Sequence, residues 1–295
     1  MVSLDQLEAL DYLIWTGSGE SAGKRLNRSQ PTVSRQASEC SRAFGVRLRK
    51  TDKCWDTEGN SYLLDLERSV HQLCRLQGRR KLRIEINPWD QELLEPNGSP
   101  FTEIGYCGDG RPAQAISLLR RRIIDLYFTR FGRATKDFCS KDGAINVLPL
   151  ASFQVGFMAH KEHPVHRSDC HDLVGLRTHP RVSWPKGILP SFEQHLTERG
   201  LWRAKQEPSK EDVIKHWELS SSCSDVLTFD KLMAPGLHQD LKRLKTELGF
   251  TGEWSIAFPS EAQSSEVVQE AIAIFSSSLI RARHQFPTLT MAQGL

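Results

Sequence analysis

The sequence predicts an α/β protein that opens with a small all-α unit, a winged helix-turn-helix. Three observations carry this. Residues 4 to 44 hold helical apolar spacing broken by two tight, capped turns. A short, basic, partly alternating stretch follows Gly45. From residue 82 onward, short apolar runs alternate with helical patterns, as in α/β layers with largely parallel sheets.

The first helix is expected over residues 4 to 16, with Leu7, Leu10, Leu13 and Ile14 recurring at helical spacing. Gly17-Ser18-Gly19 breaks it, and Ser18 is suited to cap a second helix from about Glu20 to Leu26. Asn27-Arg28-Ser29 makes the next turn. Ser29 can cap a third helix, with Pro31 tolerated in its first turn and Gly45 as its stop. Two short helices around a tight turn, the second polar and basic, are the arrangement that lays the second helix in the major groove of DNA. Residues 46 to 57 then suit a two-stranded wing.

From Glu58 to Gly78 the pattern is helical again. Leu63, Leu66, Val70 and Leu73 form a narrow a/d stripe, suited to a seam with a second helix. Arg79-Arg80-Lys81 follows as a hinge. The organisation expected is therefore residues 1–57 as a DNA-binding unit, 58–81 as linker and dimerisation helix with its hinge, and 82–295 as an α/β domain of two subdomains. In this last part strands are expected at 82–86, 101–107, 123–129, 153–159, 181–184 and 254–258. Helices are expected at 112–122, 191–199, 211–218, 237–247 and 264–284.

Bulk properties fit a globular chain of 295 residues, 39% hydrophobic and 25% charged. Nothing approaches 18 consecutive apolar residues, and the N-terminus lacks the pattern of a secretory signal. The seven cysteines are dispersed with no Cys-x-x-Cys pair, which points to a reducing cytoplasm and no disulfide framework. Net charge is only +3, but residues 20 to 53 hold nine Lys/Arg against three Asp/Glu. A compact basic stretch of this kind is the footprint of phosphate binding.

The residues from Ser18 to Ala37, SGESAGKRLNRSQPTVSRQA, resemble the helix-turn-helix of the bacterial LysR-type transcription regulators. Ser18, Ala22, Leu26, Ser29, Gln30, Pro31, Thr32, Val33, Ser34 and Gln36 match the family pattern. The Ser-Gln-Pro-x-Val-Ser core is far more specific than a generic helix-turn-helix. The resemblance implies a linker helix, assembly as a homodimer or homotetramer, and a C-terminal pair of α/β subdomains like those of periplasmic binding proteins, flanking a cleft for a small effector. Residues 155 to 165, with His163-Pro164, are similar to a further segment of the family.

Side-chain chemistry agrees. Gln30 and Arg35 can make paired hydrogen bonds to base edges. Ser29, Thr32 and Ser34 are hydroxyl donors suited to phosphates, and Pro31 can lie against sugar or a thymine methyl. Arg47, Arg49, Lys50 and Lys53 of the wing are the basic candidates there. The chain departs from the family at Gly19, Gly23 and Ala37, and Leu48-Arg49-Lys50-Thr51 replaces the wing motif that carries the family's groove-reaching arginine. Gly23 inside a helix is expected to cost about 1 kcal/mol relative to Ala.

By the same resemblance, Asn87, Trp89, Asp109, Thr129 and Arg130 are the effector-cleft candidates, with Arg130 favouring an anion. Only Trp89 to Leu94 can be helical before Pro96-Asn97-Gly98-Ser99-Pro100, so the cleft side of the first subdomain is abbreviated. His160, His163, His166, Cys170 and His171 carry metal-ligating groups, but a polar strand-to-loop connection explains them as well, and no metal or cofactor is expected. There is no nucleophile elbow, Gly-rich phosphate loop or paired-carboxylate motif, so the sequence does not point to an enzyme. Three readings remain: a DNA-binding regulator that senses a small molecule, a regulator with a degenerate cleft, and a solute-binding protein, the last disfavoured by the missing export signal.

Overall fold

A computed structural model describes residues 2–51, 54–86, 90, 102–105, 107, 112–139, 143–167, 173–179, 190–201, 227–229, 240–283 and 288–292. Three helices open the chain: α1 (Leu4–Thr16), α2 (Gly19–Leu26) and α3 (Gln30–Ala43). Each starts where a serine can satisfy the orphan N–H groups of a first turn. Ser3 and Gln6 form a reciprocal capping box on α1. Ser18 accepts from the Ser21 N–H on α2, and Ser29 from the Thr32 N–H on α3. Strands β1 (Arg47–Thr51) and β2 (Cys54–Glu58) pair antiparallel as the wing.

Helix α1 is buried on every side from Ala9 to Trp15, Asp11 included, while Asp5 in its first turn stays exposed. Leu7, Leu10, Leu13, Ile14 and Trp15 are all buried, in one core with Ala22, Val33 and Ala37 of α2 and α3. That core continues into the α/β part through Ile116, Leu119, Ile123 and Tyr127.

Helix α4 (Tyr62–Leu76) follows the wing and shows two faces. Leu64, Arg68, Gln72, Arg75 and Leu76 are buried against the chain's own core. Leu63, Leu66, Val70 and Leu73, the four residues of the expected seam, are 48% to 61% exposed.

The α/β part comprises β3 (Leu82–Ile86), β4 (Thr102–Gly105), α5 (Pro112–Arg120), β5 (Leu126–Thr129), α6 (Gly132–Cys139), β6 (Ile145–His160), α7 (Leu173–Leu176), α8 (Pro190–Glu198), β7 (Thr228–Phe229), β8 (Leu241–Pro259), α9 (Glu266–Ala282) and β9 (Thr290–Met291). Among the described residues, one sheet of seven strands runs in the order β4-β3-β5-β8-β6-β7, with β9 on β6. The expectation of a largely parallel sheet is corrected here. Among the described strand pairs, β3–β4 and β3–β5 are parallel; β5–β8, β6–β8, β6–β7 and β6–β9 are antiparallel. Two long strands, β6 and β8, dominate the sheet and pair along most of their length.

The helix expected over residues 237–247 is also corrected, because Leu241 onward is β8. Leu241, Leu244 and Leu248 are buried at helical spacing. The strand keeps that spacing because its register with β6 shifts at Val155/Gly156 and Gly156/Met158, and such irregularities re-aim side chains. The strand expected at 181–184 and the helix at 211–218 lie outside the described residues. No helix among the described residues is long and apolar enough to cross a membrane.

Candidate nucleic-acid interface and effector cleft

The residues expected to meet DNA on α3 share one solvent-facing surface. Ser29, Gln30, Pro31 and Arg35 are exposed, and Thr32 and Ser34 half-buried. Neighbouring polar groups hold one another in place. Ser29 Oγ lies 2.8 Å from Thr32 Oγ1, and Gln30 Nε2 donates to Ser34 Oγ at 3.1 Å. Val33, Ala37 and Cys40 point the other way, into the core. Burial pushes the Cys40 thiol up to about 12, with the Asp11 carboxylate adding to the effect.

The turn before α3 is tied down by Arg28, a residue whose role the sequence did not reveal. Its guanidinium donates to Asp5 Oδ1 at 2.7 Å and to Gln36 Oε1 at 3.1 Å. Gln36, a family-pattern residue, is thus engaged in holding the turn.

Gly23 reverses its expected cost. A Cβ there would lie 2.6 Å from the Arg28 carbonyl oxygen, so the close approach of α2 to the turn requires glycine. On the wing, Arg47, Arg49 and Lys50 are exposed. Arg49 pairs with Glu58 across the strands, and the Lys50 ammonium lies 5.5 Å from the centre of the Trp55 ring. Lys53 lies outside the described residues.

A second structural fact was not legible in the sequence: α1 packs against the edge of the seven-stranded sheet. Trp15 Nε1 donates to Glu85 Oε2 at 2.6 Å, and the Cys107 N–H donates to the other oxygen at 2.9 Å. Tyr12 donates to Glu103, and the Arg83 guanidinium lies 4.7 Å from the Tyr12 ring centre. Burial and the Glu103 carboxylate hold the Tyr12 phenol well above the usual tyrosine range. A Cβ on Gly105 would come within 2.2 Å of the Trp15 ring, so only glycine lets β4 approach this closely.

Asp11 ties three elements together. Its carboxylate accepts Arg68 Nε from α4 at 2.9 Å and Arg83 Nη1 from β3 at 3.2 Å, with all three side chains nearly fully buried. Beside it, Asp125 accepts both Arg75 and Gln72 of α4, and also the Arg83 N–H. A cavity of about 300 Å³ between α1, α4 and β3 is lined by Glu8, Asp11, Arg75, Arg80 and Arg83 among others. Three of its cations are already paired, Arg80 with Glu8, Arg83 with Asp11 and Arg75 with Asp125.

Of the cleft candidates, Asn87, Trp89 and Asp109 lie outside the described residues. Thr129 and Arg130 follow one another at the carboxyl end of β5, both buried. Thr129 Oγ1 accepts the Phe131 N–H at 3.0 Å. The guanidinium of Arg130, expected to favour an anion, is paired with Asp90. Sequence reasoning missed Asp90. Its signal was an acidic residue just beyond a strand end, where a cleft is expected.

The metal-ligating residue types are dispersed by local structure. His163 is buried, its Nδ1 accepts the Val165 N–H, and its ring packs edge-on to His179. No metal-binding cluster occurs among the described residues, and Cys170 and His171 lie outside them.

Comparison with known proteins bears on this arrangement. No family model matches the chain. A curated relative, the HTH-type transcriptional activator CmpR of Synechocystis sp., is 24% identical over 289 residues, covering 90% of this chain and 92% of CmpR. A full-length OxyR variant from Pseudomonas aeruginosa superposes with a TM-score of 0.55 at 15% identity, over 99% of each chain. Full-length CbnR, solved with its target DNA, superposes with a TM-score of 0.50 at 17% identity, over 95% of this chain and 99% of CbnR. CbnR is described as a LysR family transcriptional regulator.

The fold is that of a full-length LysR-type regulator.

Within that LysR-type fold, the Ser-Gln-Pro-x-Val-Ser segment caps and opens α3, the two-stranded wing follows it, and α4 leads into the sheet.

Proposed function

We propose that the chain is a sequence-specific, DNA-binding transcription regulator of LysR type. It places α3 in the major groove and works as a two-fold dimer or a tetramer built from dimers. The observation that carries the reading is the exposed polar face of α3. There Gln30 and Arg35 stand beside hydroxyls from Ser29, Thr32 and Ser34, the mixture that reads base edges and grips phosphates. That CbnR was solved on its target DNA, and that CmpR is a transcriptional activator, support it. Residues 1–57 act as the DNA-binding unit, 58–81 as the linker, and 82–295 as the sensing domain.

Pairing through α4 follows from its outer face. An apolar stripe that the chain's own fold leaves in water favours a second copy, and a two-fold pair presents two recognition helices to a pseudo-palindromic site. The chain is read as a regulator without enzymatic activity, a reading that the name of CmpR, a transcriptional activator, supports.

Genome-wide footprinting of the bound sites, followed by binding titrations on one of them, tests the reading. Affinity for a footprinted site should exceed that for scrambled DNA by about 10³-fold or more. Equal affinity for both would end the proposal.

A further inference from the structure

The carboxyl ends of β3 and β5 meet at one ion pair. The strands are parallel neighbours, with Ile86 beside Phe128, so both open on the side of the sheet where α/β folds take ligands. Arg130 directly follows β5, and Asp90 lies four residues beyond β3. Arg130 donates to Asp90 Oδ1 through Nε at 2.9 Å and through Nη2. Trp254 Nε1 reaches the same oxygen at 3.4 Å, and the guanidinium lies over the Trp254 ring. All three side chains are closed off from solvent.

The distribution of donors separates the Asp90 carboxylate from the other buried carboxylates described above, since Asp11 accepts Arg68 on one oxygen and Arg83 on the other. Asp125 is satisfied on both oxygens, by Arg75, Gln72 and the Arg83 N–H. Glu85 is likewise satisfied on both, by Trp15 and Cys107. Asp90 gathers three donors on Oδ1, while its buried Oδ2 has no hydrogen-bond partner among the described residues. Leaving a buried carboxylate oxygen bare costs free energy. What Asp90 presents is a carboxyl group held at one end, on a cation and an indole, closed off from solvent. That is how a small ligand is held in a pocket, by a few placed polar groups.

We propose that Asp90 is a tethered ligand. Its carboxylate fills, on Arg130, the place that a free monocarboxylate would take. The intact chain therefore does not take up small carboxylates at Arg130, and a latent monocarboxylate site lies beneath Asp90. This rests on reading the C-terminal domain as the sensing part of a regulator, and makes the regulator's output independent of such ligands.

The full-length chain and its Asp90→Ala variant can be compared by thermal unfolding and calorimetry, with formate, acetate and chloride as probes at equal ionic strength. The wild type should unfold at the same temperature in all three. Asp90→Ala should unfold well below it, recover by several degrees in formate or acetate but not in chloride, and lose that recovery in Asp90→Ala/Arg130→Met. An Asp90→Ala variant that responds alike to all three salts overturns the proposal. So does a wild type whose acetate binding is lost in Arg130→Met. Should Asp90→Ala not hold its fold, refolding yields in formate and in chloride replace the melting curves, and equal yields count against it. DNA titrations on the same samples keep the two readings apart. Loss of specific DNA binding in the wild type strikes the regulator reading alone, while failed carboxylate recovery with intact DNA binding strikes the tethered ligand alone.

Discussion

The indole N–H of Trp15, on the first helix, donates to a carboxylate oxygen of Glu85, on the first strand of the sheet, at 2.6 Å, with both side chains buried. Because Glu85 accepts the Cys107 N–H on its other oxygen, both carboxylate oxygens are committed. Trp15→Phe should therefore cost about 1.5–3 kcal/mol, the range for a buried hydrogen bond to a charged group. Glu85→Gln should cost a similar amount, since an amide turns an N–H towards one of the two donors. Urea unfolding measures both, and a Trp15→Phe variant as stable as the wild type would show that α1 does not pack on the sheet in solution.

Gly23→Ala separates helix propensity from packing. Propensity alone would make the substitution stabilising by about 1 kcal/mol. The Arg28 carbonyl, 2.6 Å from the would-be Cβ, makes it destabilising. A raised unfolding midpoint in Gly23→Ala would mean that the turn between α2 and α3 is looser than the structure has it.

On DNA, Arg35→Ala should lose about 1–3 kcal/mol on the cognate site and relax the preference at one position, as expected for a base contact. Lys50→Ala on the wing should weaken cognate and random DNA alike and reduce the salt dependence. Competition titrations at two salt concentrations distinguish the two behaviours. An equal loss on all sequences for Arg35→Ala would reduce it to a phosphate contact.

The outer face of α4 offers the simplest assembly test. Leu66 and Val70 are 48% and 58% exposed, and neither is needed to bury the inner face. Leu66→Asp/Val70→Asp should leave the protomer folded and shift it towards monomer in sedimentation, with weaker binding to two-half-site DNA. A wild type that sediments as a monomer at micromolar concentration would refute pairing through this helix.

Alkaline pH should destabilise the helix-turn-helix core. The Cys40 thiol rises from 9.0 to about 12 on folding. Between those values the folded state keeps a proton that the unfolded chain has released, so stability is fully present below about pH 9 and falls as pH rises towards 12. The Tyr12 phenol, raised also, acts in the same direction. The unfolding midpoint should drop above pH 9, and by less in Cys40→Ala. Fast alkylation of native Cys40 at pH 8 would contradict its burial.

Much of the N-terminal architecture was legible in the sequence, because its signals are local. Ser18 and Ser29 cap where the chain pattern says they should, and the exposed stripe of Leu63, Leu66, Val70 and Leu73 on α4 follows from spacing alone. The longer-range features were less accessible. Leu241, Leu244 and Leu248 have helical spacing in a strand, because bulges in the pairing with β6 change which side chains face inward. Gly23 read as a weakness because propensity ignores the carbonyl that crowds it. At the cleft, Arg130 read as an open cation because its partner Asp90 lies 40 positions away in sequence, and no periodicity links the two.

Asp11 draws one buried negative charge into the grip of Arg68 and Arg83, and so joins the first helix, the seam helix and the sheet. Breaking a buried pair of this kind costs about 3–5 kcal/mol. Each protomer is thus a stiff lever with its reading head fixed to its shaft. In the proposed two-fold pair, the distance between heads is then a fixed wheelbase, set by where two α4 helices cross. Such a vehicle fits only one gauge of track. Inserting about 5 base pairs, half a turn of the duplex, between the two half-sites would put the second head on the far side of the DNA.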